Sequence, residues 1–342
     1  MEIINNLSLR EKYQNFKTEN PKVRIRDAAK SLGVSEAELV ATGENTKMLA
    51  PEFREILKKL PSLGPIMSLT RNDYAVHERK GKFTKPGFHG QVGLVVNPDI
   101  DLRLFLKDWG FAFAVDENQR KSIQFFDKYG VAALKVYLTE NSDHVAYQTI
   151  LDEFTTEKQD FPAVEQGPRP KQAEISDNEV DIKAFQQEWR DLKDTHDFSG
   201  LLKKYNLTRL QSLRLAPQGY AEKISNLLTQ EVLNAASSTG IDFMVFVGNP
   251  SLIQIHTGKA EKILRTGPWI NILDETFNLH LNDSQIDSLW VVKKPTELGL
   301  VHSVEAFDKD GILIVQFFGK RKPNIPERED WRALVSNLKP NR

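Results

Sequence analysis

Five residues, FDKYG at Phe126–Gly130, return as FDKDG at Phe307–Gly311. Such a string alone is a common hairpin turn, because Gly adopts positive φ without steric cost. The surroundings carry more weight. KSIQFFDKYGVAALKVYL stands against HSVEAFDKDGILIVQFFG, in each case a strand, a reversal and a β-rich strand. Sliding one half along the other extends the match. Leu32–Ala41 falls on Tyr205–Ala216, Ile100–Phe105 on Phe277–Asn282, Trp109–Val115 on Ile286–Val292, and Ala146–Phe154 on Asp330–Leu338. The offset drifts from about 173 to about 184, as insertions in loops would produce. The unit of roughly 150 residues is far longer than a solenoid repeat. The pattern is that of a tandem duplication, which limits the fold to something built twice.

Within each copy, helical signals come first. Ser8-x-x-Glu11 and Ser35-x-x-Glu38 form capping boxes, and Pro51 suits the first turn of a helix over EFREILKKL. Strand patterns follow: GPIMSLTR, YAVHERKG, QVGLVVN, DLRLFL, FAFAV, SIQFF and AALKVYL. A helix over 144–154 closes the first copy. The second copy has helices over about 182–235, then FMVFVGNP, LIQIHTG, WINIL, FNLHL, LWVVKK, HSVEAF and ILIVQFF. Runs of helices followed by runs of strands predict α+β architecture, not a doubly wound parallel sheet. We expect residues 1–155 as a first repeat, 156–181 as a polar linker rich in Pro and Glu, and 182–342 as a second repeat. Each repeat should carry helices and a large antiparallel sheet, the two related by pseudo-twofold symmetry.

Composition excludes several chemistries. A net charge of −1 with no long basic runs argues against a nucleic-acid partner. No apolar run reaches the roughly 18 residues of a membrane span, and the N-terminal residues lack a signal-peptide pattern. A cytoplasmic protein is expected. The chain has no cysteine, so thiolate metal sites, disulfides and cysteine nucleophiles are absent. The histidines form no HxxxH or HExxH pair, and no dinucleotide or P-loop fingerprint occurs, so neither zinc nor a bound flavin or NAD is expected.

A duplicated chain offers its own filter: positions that differ in chemical kind between copies are candidates for a site present once. His196, in KDTHDF, falls opposite Val23. A lone histidine near a helix start can be a capping or surface residue, or an axial ligand to iron. Arg103 falls opposite His280, within an apolar strand pattern where an edge-strand or snorkelling arginine is the ordinary case. Lys293 and Lys294 stand where the first copy has Asp116 and Glu117. Arg209 and Arg321 are unremarkable in isolation.

Taken together, the duplication, VNPDIDLRLFLKDWGFAFAV, DTHDFSGLLKKYNLTRLQSLRLA and GILIVQFFGKR resemble the hemin-degrading and heme-transport HemS/ChuS family over nearly the whole chain. The resemblance implies one b-type heme in a crevice between the halves. It makes His196 the proximal iron ligand and Arg103 the distal, catalytic residue. It places Arg209, Lys294 and Arg321 at the propionates and Phe105, Phe246, Gln316 and Phe318 along the pocket. The family pattern has tyrosine where this chain has Phe318, so Phe318 is expected only as an apolar wall. The implied activity is oxidative heme degradation releasing iron, with heme and an external electron donor or reductase as partners. A heme importer is a further candidate partner, and the oligomeric state implied is a monomer or weak dimer. Two alternatives remain: a carrier or storage protein passing intact heme onward, and a scaffold without a ligand.

Overall fold

The computed structural model describes residues 7–157, 163–167, 169–321 and 325–338. Residues 158–162 and 168 of the expected linker lie outside these. The chain divides into two units. The first comprises 1–71, 78–169 and 249–254, and the second 72–77, 170–248 and 255–342.

In chain order the first copy reads α1 (Leu9–Glu19), α2 (Ile25–Leu32), α3 (Glu36–Ala41), β1 (Thr46–Leu49), α4 (Phe53–Lys59), β2 (Pro65–Arg71), β3 (Ala75–Lys82), β4 (Gly87–His89), β5 (Val92–Val96), β6 (Asp101–Phe105), β7 (Trp109–Glu117), β8 (Arg120–Asp127), β9 (Ala132–Leu138) and α5 (His144–Phe154). The second reads α6 (Ile182–Arg190), α7 (Asp197–Lys204), α8 (Arg209–Arg214), β10 (Ala221–Ile224), α9 (Leu228–Thr239), β11 (Phe243–Asn249), β12 (Leu252–Gly258), β13 (Ile263–Thr266), β14 (Trp269–Leu273), β15 (Phe277–Asn282), β16 (Ser288–Thr296), β17 (Gly299–Phe307), β18 (Leu313–Gly319) and α10 (Glu329–Ser336). Element for element the order is the same, as a duplicated α+β fold requires.

Both units use the same ladders. In the first unit β1-β7-β8-β9-β2 pair antiparallel, as do β4-β5-β6. In the second, β10-β16-β17-β18-β11 and β13-β14-β15 repeat the arrangement. The repeated FDK-x-G turn joins β8 to β9 and β17 to β18, with Gly130 at φ 71° and Gly311 at φ 74°. Asp127 and Asp308 each accept two backbone N–H groups across that turn, which fixes its shape.

Alternation divides each sheet into two faces. In the second unit Val245, Val247, Val304, Ala306, Val315 and Phe317 pack with α9 and α10. A second buried cluster forms where α6, α7 and α8 cover β16 and β17, centred on Trp189, Phe198, Val292 and Phe307. The candidate site lies among residues of this second face.

Both capping boxes form as expected, at Ser8/Glu11 and Ser35/Glu38. Pro51 does not enter a first turn: Glu52 is the N-cap of α4, so the proline precedes the helix. Four strands were not evident in the sequence: β1, β4, β10 and β13. Each is three or four residues long and pairs along one side with β7, β5, β16 or β14. Such short strands carry too little alternation to stand out. Among the described residues no helix is long and apolar enough to cross a membrane.

Candidate functional site

Strand register assembles a polar–aromatic patch in the second unit. Gln316 on β18 lies opposite Glu305 on β17 and Phe246 on β11, while Phe318 lies opposite Ser303. Period-2 alternation sends these side chains away from the face that holds Val245, Val304 and Phe317. Phe246 and Phe318 meet at a ring separation of 4.9 Å. Lys294 of β16 stands 5.6 Å from the Phe318 ring centre and 4.9 Å from that of Phe198 on α7. Arg209 of α8 approaches the same Phe198 ring at 5.5 Å. Residues 198 to 318 of the sequence thus converge on one patch.

Glu305 is its electrostatic centre. Arg209 donates to it bidentately, Nε to Oε2 at 2.7 Å and Nη2 to Oε1 at 2.8 Å. Lys294 Nζ and Ser303 Oγ donate to Oε1, each at 2.8 Å. The Lys294 and Glu305 side chains are 3% and 0% exposed. Burial depresses the Lys294 ammonium to about 8; Glu305 counters this, while Arg209 adds to it. For Glu305 burial pushes upward, but Arg209 and Lys294 outweigh it and hold the carboxyl well below its ordinary range. Two cations therefore share one carboxylate, leaving an excess positive charge. Ionic groups in a low-dielectric setting are stable only when matched, so this cluster favours an added anion. Arg209 also occupies the first turn of α8, where the helix dipole disfavours a cation. Its ion pair with Glu305 offsets that.

His196 is the N-cap residue of α7, and its side chain is 86% exposed. Its side chain accepts no capping hydrogen bond. Instead Nδ1 lies 2.6 Å from Asp194 Oδ1, which also accepts the His196 backbone N–H at 2.8 Å. The backbone N–H, the imidazole and more distantly Arg321 lower the Asp194 carboxyl. With Nδ1 turned to Asp194, the ring is held in one orientation and its Nε2 edge is left to the exposed side. Arg321 donates Nη1 to Thr195 Oγ1 at 3.2 Å, which ties a cation to the residue before His196. Its buried Nε has no hydrogen-bond partner among the described residues.

Arg103 and Phe105 belong to the first unit, on β6. Arg103 pairs with Leu94 of β5 and Phe105 with Val92. Val92, Leu94 and Phe105 are exposed, so this face is largely apolar around Arg103. Arg103 is ion-paired to Asp101. Burial raises the Asp101 carboxyl, and Arg103 only partly offsets this. His280, at the position in the second copy that matches Arg103, bonds instead through Nδ1 to Asn271 Oδ1 at 2.7 Å.

Sequence reasoning missed Glu305, Phe198 and Asp194. A usable signal existed for Glu305. HSVEAF places an acid inside an apolar strand, and the first copy has neutral Gln124 there.

Comparison with known proteins supplies the kinship of this arrangement. The family model for the haemin-degrading HemS.ChuX domain matches twice, over residues 33–154 and 206–338. The hemin transport protein HemS of Yersinia enterocolitica is 38% identical over 338 residues, covering 97% of both chains. The crystal structure of apo-PhuS, a heme-binding protein from Pseudomonas aeruginosa, superposes with a TM-score of 0.94 at 46% identity, over 97% of this chain and 98% of that one. ChuS, described as an E. coli heme oxygenase, superposes at 0.87 with 37% identity, over 97% and 99%. The chain belongs to the haemin-degrading HemS.ChuX domain family.

Proposed function

We propose that this protein binds heme through His196 and degrades it oxidatively in the cytoplasm, releasing iron. The observation that carries the reading is the pairing, in the second unit, of an outward imidazole fixed by Asp194 with a cation cluster left one negative charge short. Heme is a flat apolar plate bearing two carboxylates and an iron, so it asks for aromatic walls, rim cations and one axial donor. The residues present fit that demand. His196 Nε2 is the donor, and Arg209, Lys294 and Arg321 are the cations. Phe246 and Phe318 form a wall with Gln316 beside it, and Arg321 Nε, unpartnered among the described residues, marks a place short of an acceptor. Phe318 packs on Phe246 and under Lys294, in keeping with a purely apolar role.

Heme is the reactant here, its iron being where electrons and oxygen enter. In this reading Arg103 takes the distal role, its guanidinium favouring developing negative charge, and Phe105 adds apolar contact. Electrons come from an external donor. The related proteins of known structure, one called heme-binding and one a heme oxygenase, support this reading.

The name of the Yersinia relative, a transport protein, favours a second reading: a carrier passing intact heme onward. One experiment separates the two. The hemin-loaded protein is mixed with ascorbate in air, with catalase present to remove free peroxide. Degradation is expected to bleach the Soret band and free chelatable iron. A Soret band that persists, with intact heme transferring to an apo-acceptor, would overturn the enzymatic reading and leave the carrier.

A further inference from the structure

We propose that Glu305 is a positioning and specificity residue: it holds Arg209 and Lys294 as one unit that offers a ligand carboxylate a single excess positive charge. This rests on the heme reading above and adds what sets the strength and selectivity of its anion contact.

The geometry carries the inference. Glu305 receives four hydrogen bonds, from Arg209 twice, Lys294 and Ser303, all at 2.7–2.8 Å. Both oxygens are engaged, so its rotamer is fixed, and so are the side chains of its two cationic donors. Preorganised donors bind an anion without an ordering cost at the moment of binding. The donors come from α8 and β16, elements with no direct covalent continuity. Glu305 is the group common to both. Arg209 and Lys294 also flank one ring, Phe198, which keeps water from one side of the cluster.

Charge leads to the same role. Without Glu305, half-buried Arg209 and buried Lys294 would repel, and the ammonium, the more easily neutralised of the two, would lose its proton. The charged groups facing Lys294 are Glu305 from β17 and Arg209 from α8; α7 and β18 present the rings of Phe198 and Phe318. With Glu305 in place, Lys294 remains cationic at neutral pH. Without it, Lys294 becomes neutral, and the contact it offers a carboxylate falls from a charge-assisted bond to an ordinary one.

The test compares hemin with its dimethyl ester, which keeps the plate and iron but lacks carboxylates. Both are titrated into the parent protein and Glu305→Gln between about pH 6 and 9. The parent is expected to prefer hemin, with a nearly flat profile up to the Lys294 transition near 8. Glu305→Gln is expected to bind hemin about tenfold more weakly at neutral pH, the size of one charge-assisted hydrogen bond. That loss should shrink as the pH is lowered and Lys294 regains its proton, and ester binding should not change. A merely structural Glu305 would weaken hemin and ester equally, with no new pH dependence, and that result overturns the proposal. If the glutamine variant fails to fold, Glu305→Asp keeps the charge but withdraws it by one methylene. The proposal then expects a loss for hemin confined to the acid form, and equal losses for hemin and ester contradict it. Failure of the parent itself to bind either ligand would sink the heme reading, a result distinct from a parent that binds hemin with a variant that behaves identically.

Discussion

At the junction of its third helix with its sheet, each copy of this protein buries an ion pair, but the two copies built it differently. In the first unit Glu36, the first residue of α3, meets Lys135 of β9 at 2.5 Å, with side chains 5% and 7% exposed. Burial pushes the Glu36 carboxyl up, yet Lys135, with Arg71 and Arg26 beyond it, brings it below its ordinary range. In the second unit the matching helix position is Arg209, and the position matching Lys135 is neutral Gln316. The acid has moved to β17 as Glu305, where the first unit has Gln124, opposite Lys135. A second cation, Lys294, has been added. Glu36 is bonded to one base, Lys135, with Arg71 and Arg26 adding favourable charge. Glu305 is bonded to two bases, Arg209 and Lys294, which on the proposed reading leaves a charge for a ligand carboxylate to meet. The duplication preserved a location for buried charge and changed which groups carry it, and on the proposed reading that change gives the second unit its anion contact.

The difference can be tested where it should be largest. Lys135→Met strands Glu36 in a dry environment, and removing one partner of a buried pair costs about 3–5 kcal/mol. Urea unfolding should record that loss, with hemin binding per folded molecule unchanged. Lys294→Met should do the opposite. It leaves Glu305 bonded to one base, Arg209, as Glu36 is to Lys135, so stability should hold or rise. Hemin affinity should fall by about tenfold or more, the weight of a lost charged hydrogen bond. If Lys294→Met destabilised the fold as strongly as Lys135→Met, the distinction between the two clusters would be lost.

A smaller effect appears in acid. The Glu305 carboxyl is held below its unfolded value of 4.5. Its contribution to stability is therefore complete above that value and is lost as pH falls toward the folded one. Glu305→Gln should flatten this part of the stability profile, measured by urea unfolding from about pH 6 downward. Lys294 acts with the other sign. Because its folded value is lowered to about 8 from 10.5, it favours the folded state increasingly as pH rises between the two, and Lys294→Met should remove that rise.

Much of the fold was legible because duplication doubles every signal. A weak pattern such as DLRLF becomes persuasive when FNLHLN follows at the expected distance. The four short outer strands were not legible, since three or four residues do not establish a period. For the candidate site, what the sequence lacked was register. Arg209, Lys294 and Phe318 could be named from a resemblance, but the group that joins the two cations could not. Glu305 owes its place to the pairing of β17 with β16 and β18 and to the packing of α8 over that face, relations between distant segments. Asp194 was missed for a simpler reason: an acid two residues before a histidine is commonplace until its carboxylate is seen holding both the backbone N–H and the ring.

The most direct test of the central claim, that the second unit holds heme through His196 beside an unbalanced cation cluster, is a Soret titration of the parent protein, His196→Ala and Lys135→Met with hemin. A single saturable transition is expected in the parent, unchanged in Lys135→Met and weakened with a shifted band in His196→Ala. Identical spectra and affinities for the parent and His196→Ala would contradict it.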